Sequence, residues 1–415
     1  MTMSQVESSN SAVQPAHQPQ PEEQHILESA LEHLVHQTAH PQDETLSSQI
    51  GADHPLHPAP AALKTKHSWF KRFYPKELYE GAEDRMDALF AEHHLGNYVM
   101  IRNTSPPQKI FEEMPIYVRL GMHLLFFRKK KASLLAYNSI EDMLEKLSIK
   151  QGKAYDDTSN PQAVKEHIEA FIKTYEISTA ELQQPDITKY KCMNEFFYRA
   201  LKPGARPIAE PGNNKVISSA ADCRLTVWSD VDAATKFWIK DHLFTLGHVL
   251  DDQSLADSTF PPGSSFAIFR LAPADYHRWH NTVGPAVAGP IKNIKGEYYT
   301  VNPQAVNADF AVFTANRRDV GLLHWTPEAG GATHAVAVVA VGAMLVGSIQ
   351  WTDFTQGSSV QRGDEQGYFK YGGSTCIVVF PPSANVEWDA DLLANSQAGV
   401  ETMVRVGERI GVSTA

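Results

Sequence analysis

Apolar positions follow three different patterns along the chain. From residue 1 to about 65, Gln, His, Pro, Ser and Glu dominate, and only Ile26, Leu27, Ala30, Leu31 and Leu34 share a helical face. Such a segment buries too little surface to offset its ordering entropy, which predicts a disordered low-complexity tail. From 66 to about 190 the apolar residues recur at three- and four-residue spacing. Val118, Met122, Leu125 and Phe126 form one set, Ile140, Met143, Leu144 and Leu147 a second, and Val164, Ile168, Phe171 and Ile172 a third. That spacing predicts a helical N-terminal region. Further on, short β-branched runs are separated by Gly, Pro, Asn and Asp: Val216 to Ser218, Phe266 to Leu271, Tyr298 to Val301, Ala335 to Ile349, and Cys376 to Phe380. These predict a mostly β domain over 191–415. Its end, from about Asp391 to Gly411, reads as helix, with Met403, Val404, Val406 and Ile410 on the apolar face. The fold class is therefore α+β: a disordered tail, a helical region, then a mostly β domain.

Composition narrows what such a chain does. A hydrophobic fraction of 42% supplies a core, and a formal net charge of -11 argues against nonspecific nucleic-acid binding. The cysteines Cys192, Cys223 and Cys376 lie far apart without CxxC spacing, which argues against a disulfide framework or structural zinc. His33, His36 and His40 have no acidic or cysteine partner to complete a metal site. The most apolar run, Ala335 to Ile349, is shorter than the roughly 18 residues of a membrane span and reads as a buried strand. The N-terminus carries neither a signal-peptide nor a transit-peptide pattern, so the expected location is cytoplasmic or peripheral on an internal membrane. Arg128, Lys129, Lys130 and Lys131, which follow the apolar face ending at Phe126, suit contact with an anionic surface.

The segment Tyr368 to Cys376 carries the most chemistry. Gly372 and Gly373 allow backbone conformations that other residues resist, and Ser374 follows them directly. A serine after a strained glycine peptide can turn its hydroxyl on the preceding carbonyl. The resulting ester, after β-elimination and hydrolysis, leaves a pyruvoyl group at the new terminus. Attack on an amide needs a base, and a histidine oriented by an aspartate can serve. Pro273 to His280 packs His277 and His280 close to Arg278, and Ser218 to Asp222 ends a short strand with a carboxylate. On a strand the two histidines would face opposite sides; on a turn or helix they could converge.

Together these blocks resemble the phosphatidylserine decarboxylase family, whose members carry a GST processing site, an upstream D-Y-H-R-x-H segment and an earlier S-x-A-D segment. Here they are Gly372 to Thr375, Asp275 to His280, and Ser219 to Asp222, in the same order. The resemblance extends to Asn194 to Pro207, Tyr298 to Pro303, Val341 to Ser348 and Arg362 to Phe369, and runs from about Met114 to the C-terminus. It departs after His280, where Asn281-Thr-Val-Gly284-Pro replaces the family's usual loop. No C2 or EF-hand module is recognisable, which sets the chain apart from longer members.

The resemblance implies a carboxy-lyase that cuts itself between Gly373 and Ser374. Ser374 would become the pyruvoyl cofactor, with no PLP and no metal. Asp222, His280 and Ser374 would form the charge relay for self-cleavage, and His277 would assist the decarboxylation. The implied substrate is phosphatidylserine, giving phosphatidylethanolamine and carbon dioxide. The alternative substrate is a free aromatic amino acid such as tryptophan, with Trp279 stacking on the indole. The implied partners are the lipid or amino-acid substrate, a membrane surface touched peripherally, and the chain's own cleavage fragments held as a heterodimer that can dimerise further.

Overall fold

The computed structural model describes residues 96–113, 152–237, 244–296, 312–342, 349–370 and 374–415. The N-terminal tail, the face Val118 to Phe126 with its basic cluster, the set Ile140 to Leu147, the run Tyr298 to Val301, and both glycines of the cleavage motif lie outside those residues.

Among the described residues, sixteen strands carry the fold. In chain order they are β1 (Gly96–Ile101), β2 (Gln108–Glu113), β3 (Val216–Ser218), β4 (Cys223–Trp228), β5 (Ser265–Leu271), β6 (Arg278–His280), β7 (Ala286–Ile294) and β8 (Arg318–Trp325). They continue with β9 (His334–Gly342), β10 (Ile349–Trp351), β11 (Ser359–Val360), β12 (Glu365–Phe369), β13 (Ser374–Phe380), β14 (Val386–Trp388), β15 (Glu401–Val404) and β16 (Arg409–Ser413). One ten-stranded sheet runs β11-β7-β8-β9-β13-β5-β4-β15-β1-β2; two smaller sheets run β10-β12-β6 and β14-β16-β3. All pairings are antiparallel except β1 with β15.

The β reading of the C-terminal half holds where it can be seen. Strands β9 and β13 are buried along nearly their whole length, as their valine-rich runs require of strands covered on both faces. β13 lies between β9 and β5, with Ser374 opposite Gly342 on one side and Leu271 on the other. The core joins one face of this sheet to the smaller sheets through Phe269, Trp279, Trp325, Val338, Phe369 and Val378.

A second, smaller core sits around the helix Pro161–Tyr175. Asn160 caps that helix by accepting from Ala163 N at 3.1 Å, Pro161 occupies its first turn, and Glu176 ends it in the left-handed region. Its buried Ile168 and Phe171 pack on Met193, Phe196 and Phe197 of the short helix Met193–Phe197. The third helical set of the sequence reading is this helix.

Two expectations are corrected. The described start of the helical region is a hairpin, β1 and β2, whose turn contains Asn103 in the left-handed region and Pro106-Pro107. A run of Tyr98, Val99, Met100 and Ile101 suits a strand, and the prolines prevent helix continuation. The C-terminal helix covers only Ala390–Gln397. Gly399, at φ 71°, closes it by donating to Ser396 O at 2.9 Å, and Met403, Val404 and Ile410 then lie on β15 and β16. Among the described residues no helix is long and apolar enough to cross a membrane.

Candidate active site

Ser374, the first residue of β13, is fully buried. Its Oγ lies 3.1 Å from Nδ1 of His277, which is also fully buried. The other ring nitrogen, Nε2, lies 3.0 Å from the Ala272 carbonyl oxygen. A carbonyl only accepts, so Nε2 carries the proton and a neutral ring leaves Nδ1 with its lone pair facing Ser374. The Ser374 hydroxyl therefore donates to His277. Burial, reinforced by the nearby Arg199 guanidinium, pulls the His277 pKa down to about 3, so the ring stays neutral at ordinary pH. The Phe197 ring stacks on the imidazole at 3.9 Å between centroids, and Phe369 N donates to the His277 carbonyl at 3.0 Å.

His280 faces elsewhere. Its Nδ1 lies 2.8 Å from the Gly363 carbonyl and so carries the proton, leaving Nε2 to accept from the Tyr276 hydroxyl at 3.1 Å. Its backbone N–H donates to Ala220 O at 2.8 Å. Burial lowers its pKa too, opposed by the Gly363 hydrogen bond. Asp222 accepts from Arg206 Nε at 2.9 Å and Nη2 at 2.6 Å, and from the backbone N–H of Val406 at 2.9 Å. The contacts thus differ from the expected relay. Of the two histidines it is His277 that is hydrogen-bonded to Ser374, and the aspartate is engaged by an arginine. The reason is the alternation of a strand. His277 and His280, three positions apart around β6, project to opposite sides.

Behind the Ser374–His277 pair lies a set of buried charges. Arg224 Nη1 donates to Asp275 Oδ1 at 2.7 Å, and Arg224 Nε donates to Glu112 Oε1 at 2.7 Å. Arg270 Nε donates to Glu401 Oε1 at 2.8 Å and lies 3.7 Å from Glu112 through Nη2. Arg199 donates to the Ala274 and Asp275 carbonyls at 2.7 and 3.1 Å. Asp275 also accepts from Ala272 N at 2.6 Å, closing the turn whose carbonyl holds His277. The three arginines and the three carboxylates balance. The Arg224 and Arg270 charges hold the Glu112 pKa below the usual carboxylate range despite burial. For Asp275, burial outweighs Arg224 and pushes its pKa up.

Sequence reasoning missed several of these residues. Arg199, Phe197 and Arg206 lie within the resemblance block Asn194 to Pro207, but nothing local marks them as neighbours of the histidines. Glu112 comes from the unexpected hairpin. The alternative substrate, a free aromatic amino acid, would have Trp279 stack on it. Trp279 is instead wholly buried, packed tilted on Phe369 at 4.6 Å and edge-on to Trp351 at 5.4 Å between centroids. A ring filled in on both sides by core aromatics cannot receive an indole, so that reading loses its support.

Comparison with known proteins agrees with the motifs. The family model for phosphatidylserine decarboxylase matches residues 193–412. Phosphatidylserine decarboxylase proenzyme 3 of Schizosaccharomyces pombe is 38% identical over 348 residues, covering 84% of this chain and 34% of the relative. Proenzyme 2 of Komagataella phaffii is 41% identical over 329 residues, covering 78% and 31%. The phosphatidylserine decarboxylase proenzyme of Fusobacterium nucleatum is 40% identical over 253 residues, covering 61% of this chain and 80% of the relative. The chain spans about a third of the length of the two yeast relatives. With a matched family model, and a bacterial relative covered over most of its length, the chain belongs to the phosphatidylserine decarboxylase family.

Proposed function

We propose that the chain cuts itself between Gly373 and Ser374 and, once matured, decarboxylates phosphatidylserine to phosphatidylethanolamine. The observation that carries this reading is the buried hydrogen bond from Ser374 to the neutral His277, inside the family's processing motif. The relatives' names, decarboxylase and proenzyme, support both halves.

In the cleavage, His277 Nδ1 takes the hydroxyl proton as Ser374 Oγ bonds to the Gly373 carbonyl carbon. The Gly373–Ser374 amide bond breaks, the proton passes to the Ser374 nitrogen, and an ester remains. Loss of the Ser374 α-proton and of the ester oxygen frees the Gly373 carboxylate. The dehydroalanine left behind takes up water and releases ammonia, giving the pyruvoyl terminus. A histidine with so low a pKa is a weak base, which suits a reaction each molecule performs once.

The site fits that group. Among the described residues, Ser374 is fully buried at the start of its strand with the His277 ring at hydrogen-bond distance from its hydroxyl. Once formed, the pyruvoyl ketone supplies an electron sink for the substrate's amine-bearing carbon as carbon dioxide leaves. His277, whose Nδ1 faces Ser374 before cleavage, would stand beside the group and could hold or return a proton there. Phe197 covers one face of the His277 ring. His280, through Tyr276 and Gly363, and Asp222, through Arg206 and Val406, complete the set by fixing β6 and the turn before β16.

The deciding experiment is intact mass and product analysis of the purified chain offered phosphatidylserine vesicles and free tryptophan in parallel. The reading expects fragments 1–373 and 374–415, the smaller blocked to Edman sequencing, with phosphatidylethanolamine formed and no tryptamine. An active preparation of uncut chain would refute it.

A further inference from the structure

Arg199 has no part in the proton transfer of the cleavage step, yet it is a charged group that joins two elements enclosing His277. Its guanidinium is buried, 5% exposed. Nη1 donates to the Phe197 carbonyl at 3.3 Å, at the end of the short helix whose Phe197 ring covers one face of the imidazole. Nη2 donates to the Ala274 and Asp275 carbonyls at 2.7 and 3.1 Å, in the turn whose Ala272 carbonyl holds Nε2–H. One side chain therefore fixes both the stacking face and the tautomer-setting acceptor of the same ring. A planar guanidinium can reach three carbonyls in this way, and the interaction leaves its positive charge beside the imidazole.

We propose that Arg199 is a positioning residue for Ser374 activation, which holds His277 in the orientation and the neutral state that accept the Ser374 proton. The inference rests on the self-cleavage reading and assigns a task in it to a residue whose hydrogen bonds go to the Phe197, Ala274 and Asp275 carbonyls and not to Ser374.

The electrostatics run the same way. The charged groups around His277 are Arg199 and Arg224 on the cationic side, with Asp275, engaged by Arg224, closing the turn. After burial, Arg199 is the leading cause of the depressed His277 pKa. A positive charge beside a base disfavours its protonation, so loss of Arg199 lets His277 protonate at higher pH.

The test follows the appearance of fragments 1–373 and 374–415 from freshly translated full-length chain across about pH 3 to pH 8, a range that runs from the depressed His277 pKa of about 3 past the ordinary histidine value. Wild type, Arg199→Gln and Arg199→Lys are compared. Arg199→Gln is expected to cleave more slowly, with the acid limb of its rate profile displaced upward by about one pH unit or more. Arg199→Lys keeps the charge and is expected to keep the wild-type acid limb while recovering most of the rate. A rate loss in Arg199→Gln by the same factor at every pH would mean a merely structural role and overturn the proposal. A displaced acid limb in Arg199→Lys would overturn it as well, and that variant decides the matter should Arg199→Gln not fold. Failure of the wild-type chain to cleave would instead sink the underlying reading.

Discussion

The Ser374 hydroxyl points its proton at Nδ1 of His277 across 3.1 Å, between residues 97 positions apart in the chain. The contact is possible because β13 begins at Ser374 and pairs with the end of β5 at Leu271, from which the chain turns at once into the segment carrying His277. Ser374 and the segment carrying His277 are thus tied to adjacent strand ends of one sheet.

Removing that base is expected to slow self-cleavage. His277→Ala should lower the cleavage rate by about 10²-fold, the low end of general-base effects, and the fraction that matures should decarboxylate poorly. Time courses of fragment appearance, followed by turnover assays on the matured fraction, measure both. Wild-type rates in both assays would remove His277 from the mechanism.

His280→Ala and Asp222→Asn should act through the frame. The first loses the bonds to Tyr276 and Gly363. The second weakens the clamp on Arg206 and Val406. Both are expected to impair cleavage together with thermal stability. Impaired cleavage with an unchanged melting temperature would instead give these residues a direct chemical part.

Stability should fall on acidification. His277 is held neutral in the folded protein down to about pH 3, whereas its unfolded counterpart protonates near the ordinary histidine value of 6.5. Below that value the unfolded chain binds more protons, so stability declines as pH falls and is insensitive to this group above it. The slope from one such histidine is at most roughly 1.4 kcal/mol per pH unit, and His280 adds in the same direction. Denaturant melts of His277→Gln between about pH 4 and pH 7 should show a smaller slope than wild type. Equal slopes would contradict the burial argument.

The hairpin should matter more than its position at the sheet edge suggests. Glu112→Ala leaves Arg224 with Asp275 alone and the buried set one positive charge in excess, and breaking a buried pair in this way costs about 3–5 kcal/mol. Glu210→Ala, which removes the half-exposed partner of Arg409, is expected to cost no more than about 1 kcal/mol. Urea melts of the two variants decide; similar losses would show that the Glu112 pair is not the buried anchor its geometry describes.

Cleavage at Ser374 should not release the small fragment. Residues 374–415 include β13 between β9 and β5, β15 between β4 and β1, and β16 between β14 and β3. The two fragments are expected to co-elute under native conditions and to separate only in denaturant. Loss of the small fragment during native gel filtration would count against this strand order in the mature protein.

Some of this protein is written locally. The valine-rich runs of β9 and β13 can be read as buried strands, because continuous β-branched sequence suits a pleated surface covered on both sides. Asn160-Pro161 announces a helix start, and the Gly-Gly-Ser-Thr motif with its upstream histidine and aspartate blocks marks the family. Short elements were less legible. Met403, Val404, Val406 and Ile410 satisfy a helical spacing, but Gly399 stops the helix and pairing with β4 and β3 makes the following segments strands.

What the sequence determined by itself is therefore the chemistry available: a serine after two glycines, two histidines three positions apart, and one aspartate upstream. What only the tertiary structure decided is which of them touch. Strand alternation sends His277 and His280 to opposite sides, and nothing local says which side meets a serine 97 residues away. The pairing of β5 with β13 settles it, and Arg206, arriving from another segment, takes the aspartate. Long-range hydrogen bonds and burial make those choices, because their energies depend on neighbours that the local sequence does not contain.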